Sequence, residues 1–199
     1  MTNSITTAFI LNTFNEAFTM GATNPKYSPQ FLKGILKYDA ETGEFFTNSG
    51  RKLRVGLDAK KYGRVRVRGV GYLKAHRVAW SLATGNMPPD HIDHIDGDKL
   101  NNKFSNLRAC TPAENQRNRG RFKSNKSGFK GVSWMKRPAK WQAQICVDRK
   151  VKHLGLFENK VDAARAYDIA AIELHGAFAK TNFPVERYLY VQHPASAGN

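Results

Sequence analysis

Apolar positions recur along this chain with two different periods. In the segment from Tyr62 to Arg68 they fall at every second place, the period of a strand. Val65 and Val67 then share one face, and Arg64, Arg66 and Arg68 form a row on the other. The same period returns between Trp141 and Val147. There Trp141, Ala143, Ile145 and Val147 lie on one side, with Gln142, Gln144 and Cys146 opposite. Residues 73–85 instead set Val78, Ala79, Leu82 and Ala83 at helical spacing, with Gly85 as the stop. A second helix is predicted from Lys160 to His175. Asn159 caps it, Asp162 sits at its third position, and Gly176 ends it. Alanines 163, 164, 166, 170 and 171 let that helix lie close on a small sheet.

The remaining segments fill in around these. Leu36–Tyr38 and Glu44–Thr47 flank a turn at 39–43 and read as a hairpin. His91–Ile95 and Asn106–Cys110 read as two short strands, with Asp96-Gly97-Asp98 supplying a turn. Thr111, Pro112 and Glu114 then form a capping box for a short helix that carries Asn115, with Asn118 and Arg119 one turn on. Phe129–Trp134 and Val151–Leu156 supply two more strands on either side of 141–147. The expectation is an α+β protein: a β-rich N-terminal region with a strand–loop–strand–helix module, then a three-stranded antiparallel sheet packed on one helix. Residues 1–28 read as an N-terminal extension with a short helix around 12–20, and 185–199 as a disordered tail.

Charge sharpens the picture. The chain of 199 residues holds 32 Lys and Arg against 16 Asp and Glu, a net charge of +16, which calls for a polyanionic partner. From Asn115 to Val147 there are nine basic residues and no acidic one. A long apolar run or a basic amphipathic helix is lacking, which argues against a membrane. Cys110 and Cys146 have no CxxC spacing, so a four-Cys zinc site within the chain is excluded and a disulfide framework is not expected. The N-terminus has no basic stretch before its short apolar run, so a cytosolic protein is the default. The row Arg64, Arg66 and Arg68 suits phosphate contact, or else protects an edge strand. The connector from Gln116 to Ser127, with Arg117, can track a phosphate backbone or simply keep a linker soluble.

The stretch from Asp90 to Asn118 carries the candidate chemistry. Phosphodiester hydrolysis needs a base, a cation to neutralise phosphate charge, and pre-positioned groups. A neutral histidine suits the base. A carboxylate with an amide oxygen suits a hard divalent ion such as Mg²⁺ or Mn²⁺. His94, Asp93 and Asn115 offer that set. His91 and His94, three apart on a strand, face opposite ways and make a poor metal pair. A polar loop rich in Asn and Asp, without chemistry, is the competing reading.

This stretch resembles the HNH family of ββα-metal nucleases, in its phage and intron homing branch. The matching residues are Asp93-His94, Asp96-Gly97, Asn101-Asn102, Asn106-Leu107-Arg108 and Asn115. The resemblance implies His94 as general base and Asp93 and Asn115 as ligands of one divalent metal. It also implies that Asn106 braces the loop and orients the base. A 5′-phosphate product is implied as well. The second histidine of the family name is absent, and Asn115 stands in its place. A site-directed, homing-type endonuclease acting on double-stranded DNA is expected, in a bacterial or phage-infected cell. Monomer and homodimer are both open.

Residues 128–184 resemble the APETALA-two/ethylene-response-factor DNA-binding domain. The resemblance is carried by Gly131-Val132, Lys140-Trp141, Leu154-Gly155 with Phe157, the run Ala163 to Asp168, Gly176 and Asn182-Phe183-Pro184. It implies a sheet laid into the major groove. Contacts carry over by position to Lys130, Gln144 and His153. Strand alternation and charge add Lys136, Arg137, Lys140, Gln142 and Arg149. Plant members use Arg and Trp at several contact positions where this chain has Ser133, Cys146 and His153, so the target sequence does not transfer. The expected division is extension 1–28, nuclease module 29–120, basic linker 121–127, DNA-reading module 128–184 and tail 185–199. A non-catalytic, sequence-specific DNA-binding transcription regulator, and RNA as substrate, are the competing readings.

Overall fold

A computed structural model describes residues 28–189. The helix expected around 12–20 lies outside the described residues. The chain forms two compact units, one made of residues up to Asp90 with Lys99–Ser105, the other of His91–Asp98 with everything from Asn106 onward.

The first unit opens on a helix the hydrophobic pattern does not announce, α1 (Pro29–Ile35). Its seven residues are too few to display a period. Ser28 caps it by accepting the Phe31 N–H at 3.2 Å, and Pro29 occupies its first position. β1 (Leu36–Asp39) and β2 (Glu44–Thr47) form the expected hairpin, with Tyr38 opposite Phe45. β3 (Val55–Leu57), β4 (Gly63–Val67) and β5 (Gly71–Lys74) form an antiparallel sheet in that order. Val65 and Val67 are buried, and Arg64 and Arg66 are exposed on the opposite face, as alternation requires. Arg68 departs from the expected row. The strand ends at Val67, and Arg68 sits in the turn beyond it.

α2 (Ala75–Thr84) begins two residues later than its pattern suggests, because Leu73 and Lys74 pair with Val65 and Arg64 as the end of β5. Gly85 ends α2 at φ 74°, in the left-handed region, as expected. Leu32, Phe45, Val65, Val67, Val78 and Ala79 are buried in this unit. His76 is buried there too, its ring 5.4 Å from that of Tyr62. The returning loop is tied down by Tyr38, whose hydroxyl donates to the Asn102 carbonyl at 2.7 Å.

The second unit begins with the two-stranded ribbon of β6 (Ile92–His94) and β7 (Leu107–Ala109). α3 (Pro112–Arg117) follows, with the capping box of Thr111 and Glu114 formed as expected. β8 (Val132–Met135), β9 (Lys140–Val147) and β10 (Lys150–Phe157) make a three-stranded antiparallel sheet with β9 in the centre. α4 (Lys160–His175) crosses it, with the predicted bounds and the predicted Asn159 cap. A single 3₁₀ turn, Gly176–Phe178, closes that helix.

The core here is small. Val132, Ala143, Ala163 and Ala164 pack with Trp141 and Phe157, and Ile145, Tyr167, Ala170 and Ala171 continue it. The close approach shows at Gly131, where φ is +75° and a Cβ would lie 1.9 Å from the Tyr167 ring. Asp168 is fully buried and accepts four hydrogen bonds. Two come from Asn182, one from the Phe183 N–H and one from the Tyr188 hydroxyl.

That last bond corrects the expected tail. Residues 185–189 are not a loose end, since α5 (Glu186–Leu189) brings Tyr188 back to Asp168 at 2.9 Å. Composition alone cannot reveal a tether to a carboxylate twenty residues away. Among the described residues, no helix is long and apolar enough to cross a membrane.

Candidate active site

β6 and β7 place Asp93 directly opposite Arg108 and His94 opposite Leu107. Asp93 and His94 are consecutive residues of β6. Both are buried, at 6% and 4% exposure.

Asp93 is held from two directions. Arg108 donates from Nε at 3.0 Å and Nη2 at 2.7 Å, both to Oδ2. Asn118 donates its amide to Oδ1 at 3.0 Å and to Oδ2 at 2.9 Å. The same amide reaches the His94 carbonyl at 2.8 Å. Asn118 therefore touches both residues of the Asp-His pair, one by its side chain and one by its backbone.

Asn118 occupies this place because α3 ends there. It is the C-cap of the helix, and its N–H still bonds to the Glu114 carbonyl, so its side chain turns inward. Asn115, one turn earlier, is half-buried on α3, and among the described residues no hydrogen bond joins its side chain to Asp93. The pattern placed Asn118 on the same face as Asn115 without giving it a role. Its burial at a helix end was the missing signal, and burial is a tertiary property.

Asn106 brackets the loop after His94. Its Oδ1 accepts the Asp96 N–H at 3.0 Å, and its Nδ2 donates to the Asp96 carboxylate at 2.9 Å. Its carbonyl accepts the Ile95 N–H at 2.9 Å. The Asp96 carboxylate in turn accepts the Asp98 N–H at 2.8 Å, which makes the turn around Gly97, at φ +83°, a compact one.

Two neighbouring groups set the electrostatics. Burial pushes the Cys110 thiol up to about 11, and the charges of Asp93 and Glu114 push the same way. It therefore stays protonated near neutral pH. The Glu114 carboxyl is held below its ordinary range, first by the Thr111 N–H and then by the Thr111 hydroxyl.

Among the described residues there is no cluster of three or more His, Cys, Asp or Glu side chains able to hold a metal. The Asp93 carboxylate and the Asn118 amide meet at the end of α3, and Asn115 lies one turn earlier on that helix. One carboxylate with amides, water and phosphate oxygens is the habit of Mg²⁺ and Mn²⁺, so the donor set fits a hard divalent ion and not a closed thiolate site.

The other predicted contacts are scattered over several surfaces. Arg64 and Arg66 stand on β4, with the Arg64 guanidinium 4.5 Å from the centre of the Tyr72 ring. Arg117 ends α3, its Nη2 3.7 Å from the Asp148 carboxylate. Lys130 is tied down, donating to the Arg117 carbonyl at 2.6 Å, and burial brings its ammonium down to about 8. Lys136 and Arg137 are exposed in the β8–β9 connection, and Lys140 pairs with Glu158 at 2.9 Å. Arg149 sits exposed in the β9–β10 turn. Gln142 faces Ser133 and Leu156, and Gln144 faces His153, all on the sheet side away from α4. Trp141 packs on the core, with the half-exposed Trp134 edge-on at 5.1 Å.

Residues 73–117 match the HNH_3 family, described as HNH endonuclease. Protein 3.8 of Escherichia phage T7 is 36% identical over 108 residues, which cover 54% of this chain and 88% of that protein. The chain belongs to the HNH endonuclease family. HNH endonuclease L560 of Acanthamoeba polyphaga mimivirus is 34% identical over 115 residues, 57% of this chain and 59% of that one. A solved structure of DNA binding and cleavage by the HNH homing endonuclease I-HmuI overlaps 46% of this chain and 55% of its own, at 26% identity and a TM-score of 0.38. The C-terminal region matches AP2-like ethylene-responsive transcription factor AIL5 of Arabidopsis thaliana, 41% identical over 69 residues. Those residues are 34% of this chain and 12% of the plant protein. The HNH match spans the ribbon and α3, including Asp93, His94, Asn106, Arg108 and Asn115. Asn118 lies just beyond it.

Proposed function

We propose that this HNH endonuclease hydrolyses double-stranded DNA at a directed site, in the manner of a homing endonuclease. His94 acts as general base, and one divalent cation, Mg²⁺ or Mn²⁺, is held by Asp93 and Asn115. The observation that carries the reading is the buried Asp93 carboxylate, gathered by Arg108 and Asn118 beside His94.

When bound, the cation neutralises charge on the scissile phosphate and on the leaving oxygen. The protein supplies the rest. His94 accepts the proton of the attacking water, the task of a neutral imidazole acting as general base. Asn106 holds the 95–98 loop so that the His94 backbone keeps its direction. Arg108 and Asn118 hold the Asp93 carboxylate by hydrogen bonds to both of its oxygens.

Residues 29–120 are read as the nuclease module and 128–184 as the DNA-reading module, joined by the basic stretch 121–127. The outer face of the second sheet, with Gln142, Gln144 and His153, is its base-reading surface. Lys136, Arg137, Lys140 and Arg149 at its margins contact phosphate, as do Arg64, Arg66 and Arg68 elsewhere. Lys130, anchored to Arg117, is the contact that would have to rearrange to serve.

The test compares wild type with His94→Ala on duplex DNA, with and without Mg²⁺. Cleavage by wild type alone, only with metal, and equal binding by both is expected. Binding by both with no cutting under any divalent ion defeats the proposal and favours the regulator reading.

A further inference from the structure

Arg108 spends its guanidinium on two parts of the chain at once. Nε and Nη2 grip Asp93 Oδ2 at 3.0 and 2.7 Å. Nη1 donates at 2.5 Å to the carbonyl of Ala177, in the 3₁₀ turn that closes α4. The guanidinium carbon lies over the Phe178 ring, 3.9 Å from its centre. One turn on, Lys180 donates to the Asp96 carbonyl at 3.1 Å, in the loop that Asn106 braces. The segment after the reading helix thus meets the nuclease ribbon at both the carboxylate and the loop.

The arrangement uses what only arginine provides. A planar fork bonds in two directions while its face stacks on an aromatic ring, which a lysine ammonium does not reproduce. The pair is well buried, its side chains 16% and 7% exposed. A buried ion pair contributes little net stability against an apolar substitute, so stability is a weak account of it. Orientation is a stronger one. Arg108 takes only Oδ2 of Asp93, leaving Oδ1 to the Asn118 amide alone. Arg108 and Asn118, the two partners of Asp93, also line a cleft of about 490 Å³ together with Ala177 and Ala179–Glu186.

We propose that the C-terminal module completes the nuclease site. Its turn Gly176–Phe178 sets Arg108, and Arg108, a positioning residue, sets the Asp93 carboxylate toward the cation. This rests on the nuclease reading above. It departs from a design in which the second module only delivers the first to DNA. In that case loss of 128–184 leaves weak nicking intact. Here the loss removes the Ala177 and Phe178 contacts that hold Arg108.

The experiment uses the full chain and changes Phe178, which lies outside the reading strands. Phe178→Leu keeps apolar volume without the ring face, Phe178→Ala removes both, and Phe178→Tyr restores the face. Four readings are taken: thermal melting, duplex affinity in EDTA, Mn²⁺ binding by electron paramagnetic resonance, and single-turnover cleavage at saturating Mn²⁺. Phe178→Leu and Phe178→Ala are expected to weaken Mn²⁺ binding and slow cleavage by about tenfold each. DNA affinity in EDTA stays within about twofold, and Phe178→Tyr behaves as wild type.

Folded Leu and Ala variants with wild-type Mn²⁺ binding and cleavage overturn the proposal. So does a loss of DNA affinity that accounts for the slower cleavage. A Phe178→Leu protein that does not fold assigns the ring to the core and overturns it too. If wild type binds no Mn²⁺, or His94→Ala cuts as fast as wild type, the nuclease reading itself has failed.

Discussion

Asn118 donates its amide to both carboxylate oxygens of Asp93, at 3.0 and 2.9 Å, from the C-cap of a helix only six residues long. Among the described residues it is the one hydrogen-bond donor at Asp93 Oδ1. Removing it leaves a buried carboxylate oxygen without a partner. Asn118→Ala is therefore expected to slow metal-dependent cleavage by about 10- to 100-fold, and to lower stability by about 1–2 kcal/mol. Asn115→Ala, by contrast, is expected to weaken Mn²⁺ binding with no measurable loss of stability. Titration of Mn²⁺ against cleavage rate, with urea unfolding of both variants, separates the two amides.

Gly131 should accept no side chain. Its φ of +75° disfavours any L-residue, and a Cβ would collide with the Tyr167 ring at 1.9 Å. Gly131→Ala should cost about 3 kcal/mol, from strain and displacement of Tyr167 together. Tryptophan fluorescence in urea reports it, because Trp141 packs on the same small core. An unchanged midpoint would mean that the sheet and helix are farther apart than described.

Asp168 clasps the segment after α4. Its four hydrogen bonds fasten Asn182, Phe183 and Tyr188 to α4. Asp168→Ala leaves several buried donors unmatched and should cost about 3 kcal/mol. Tyr188→Phe removes one bond of the four and should cost about 1 kcal/mol. Hydrogen exchange at 182–189 should rise in both variants, more steeply in the first.

Lys130 links stability to pH. Burial, with repulsion from Lys180, lowers its folded value to about 8 from the ordinary 10.5. The unfolded chain therefore keeps this proton to higher pH than the folded one. Stability rises as pH climbs from about 8 toward 10.5, and the cost of the buried charge is full below 8. Lys130→Met should remove that rise. Chemical denaturation of both proteins between pH 7 and 10.5 measures the difference, and parallel curves would rule out the buried ammonium as its source.

Arg64 and Arg66 should act on DNA through charge alone. Arg64 stands opposite Lys74 across the sheet, a like-charge pair that an anion would relieve. Each Arg→Ala change should weaken binding evenly across duplex sequences. Each should also lower the slope of log K against log salt by about one. A selective effect on one sequence would point to base contact instead.

Local rules carried much of the architecture. Alternation marked the burial of Val65, Val67, Ala143 and Ile145, and capping chemistry marked α3 and α4 at their first residues. The seven residues of α1 were too few to show a period, and the end of β5 overrode helical spacing at Leu73 and Lys74 because strand pairing claimed them. Arg68 left its row when the strand stopped one residue short.

The candidate site divides along the same line. Asp93, His94, Asn106 and Asn115 stand out as candidates in the sequence because a short strand, a turn and a capped helix set them at a recognisable spacing. The roles of Asn118 and Arg108 were not legible. Both depend on which buried group a side chain meets, Asp93 from a helix end in one case and Ala177 and Phe178, about seventy residues on, in the other. Periodicity and capping act through neighbours in the chain, so the sequence by itself determined the elements and the reactive residue types. Orienting a carboxylate takes donors from segments distant in sequence, so only the tertiary structure decided how Asp93 is held and which distant residues Arg108 meets.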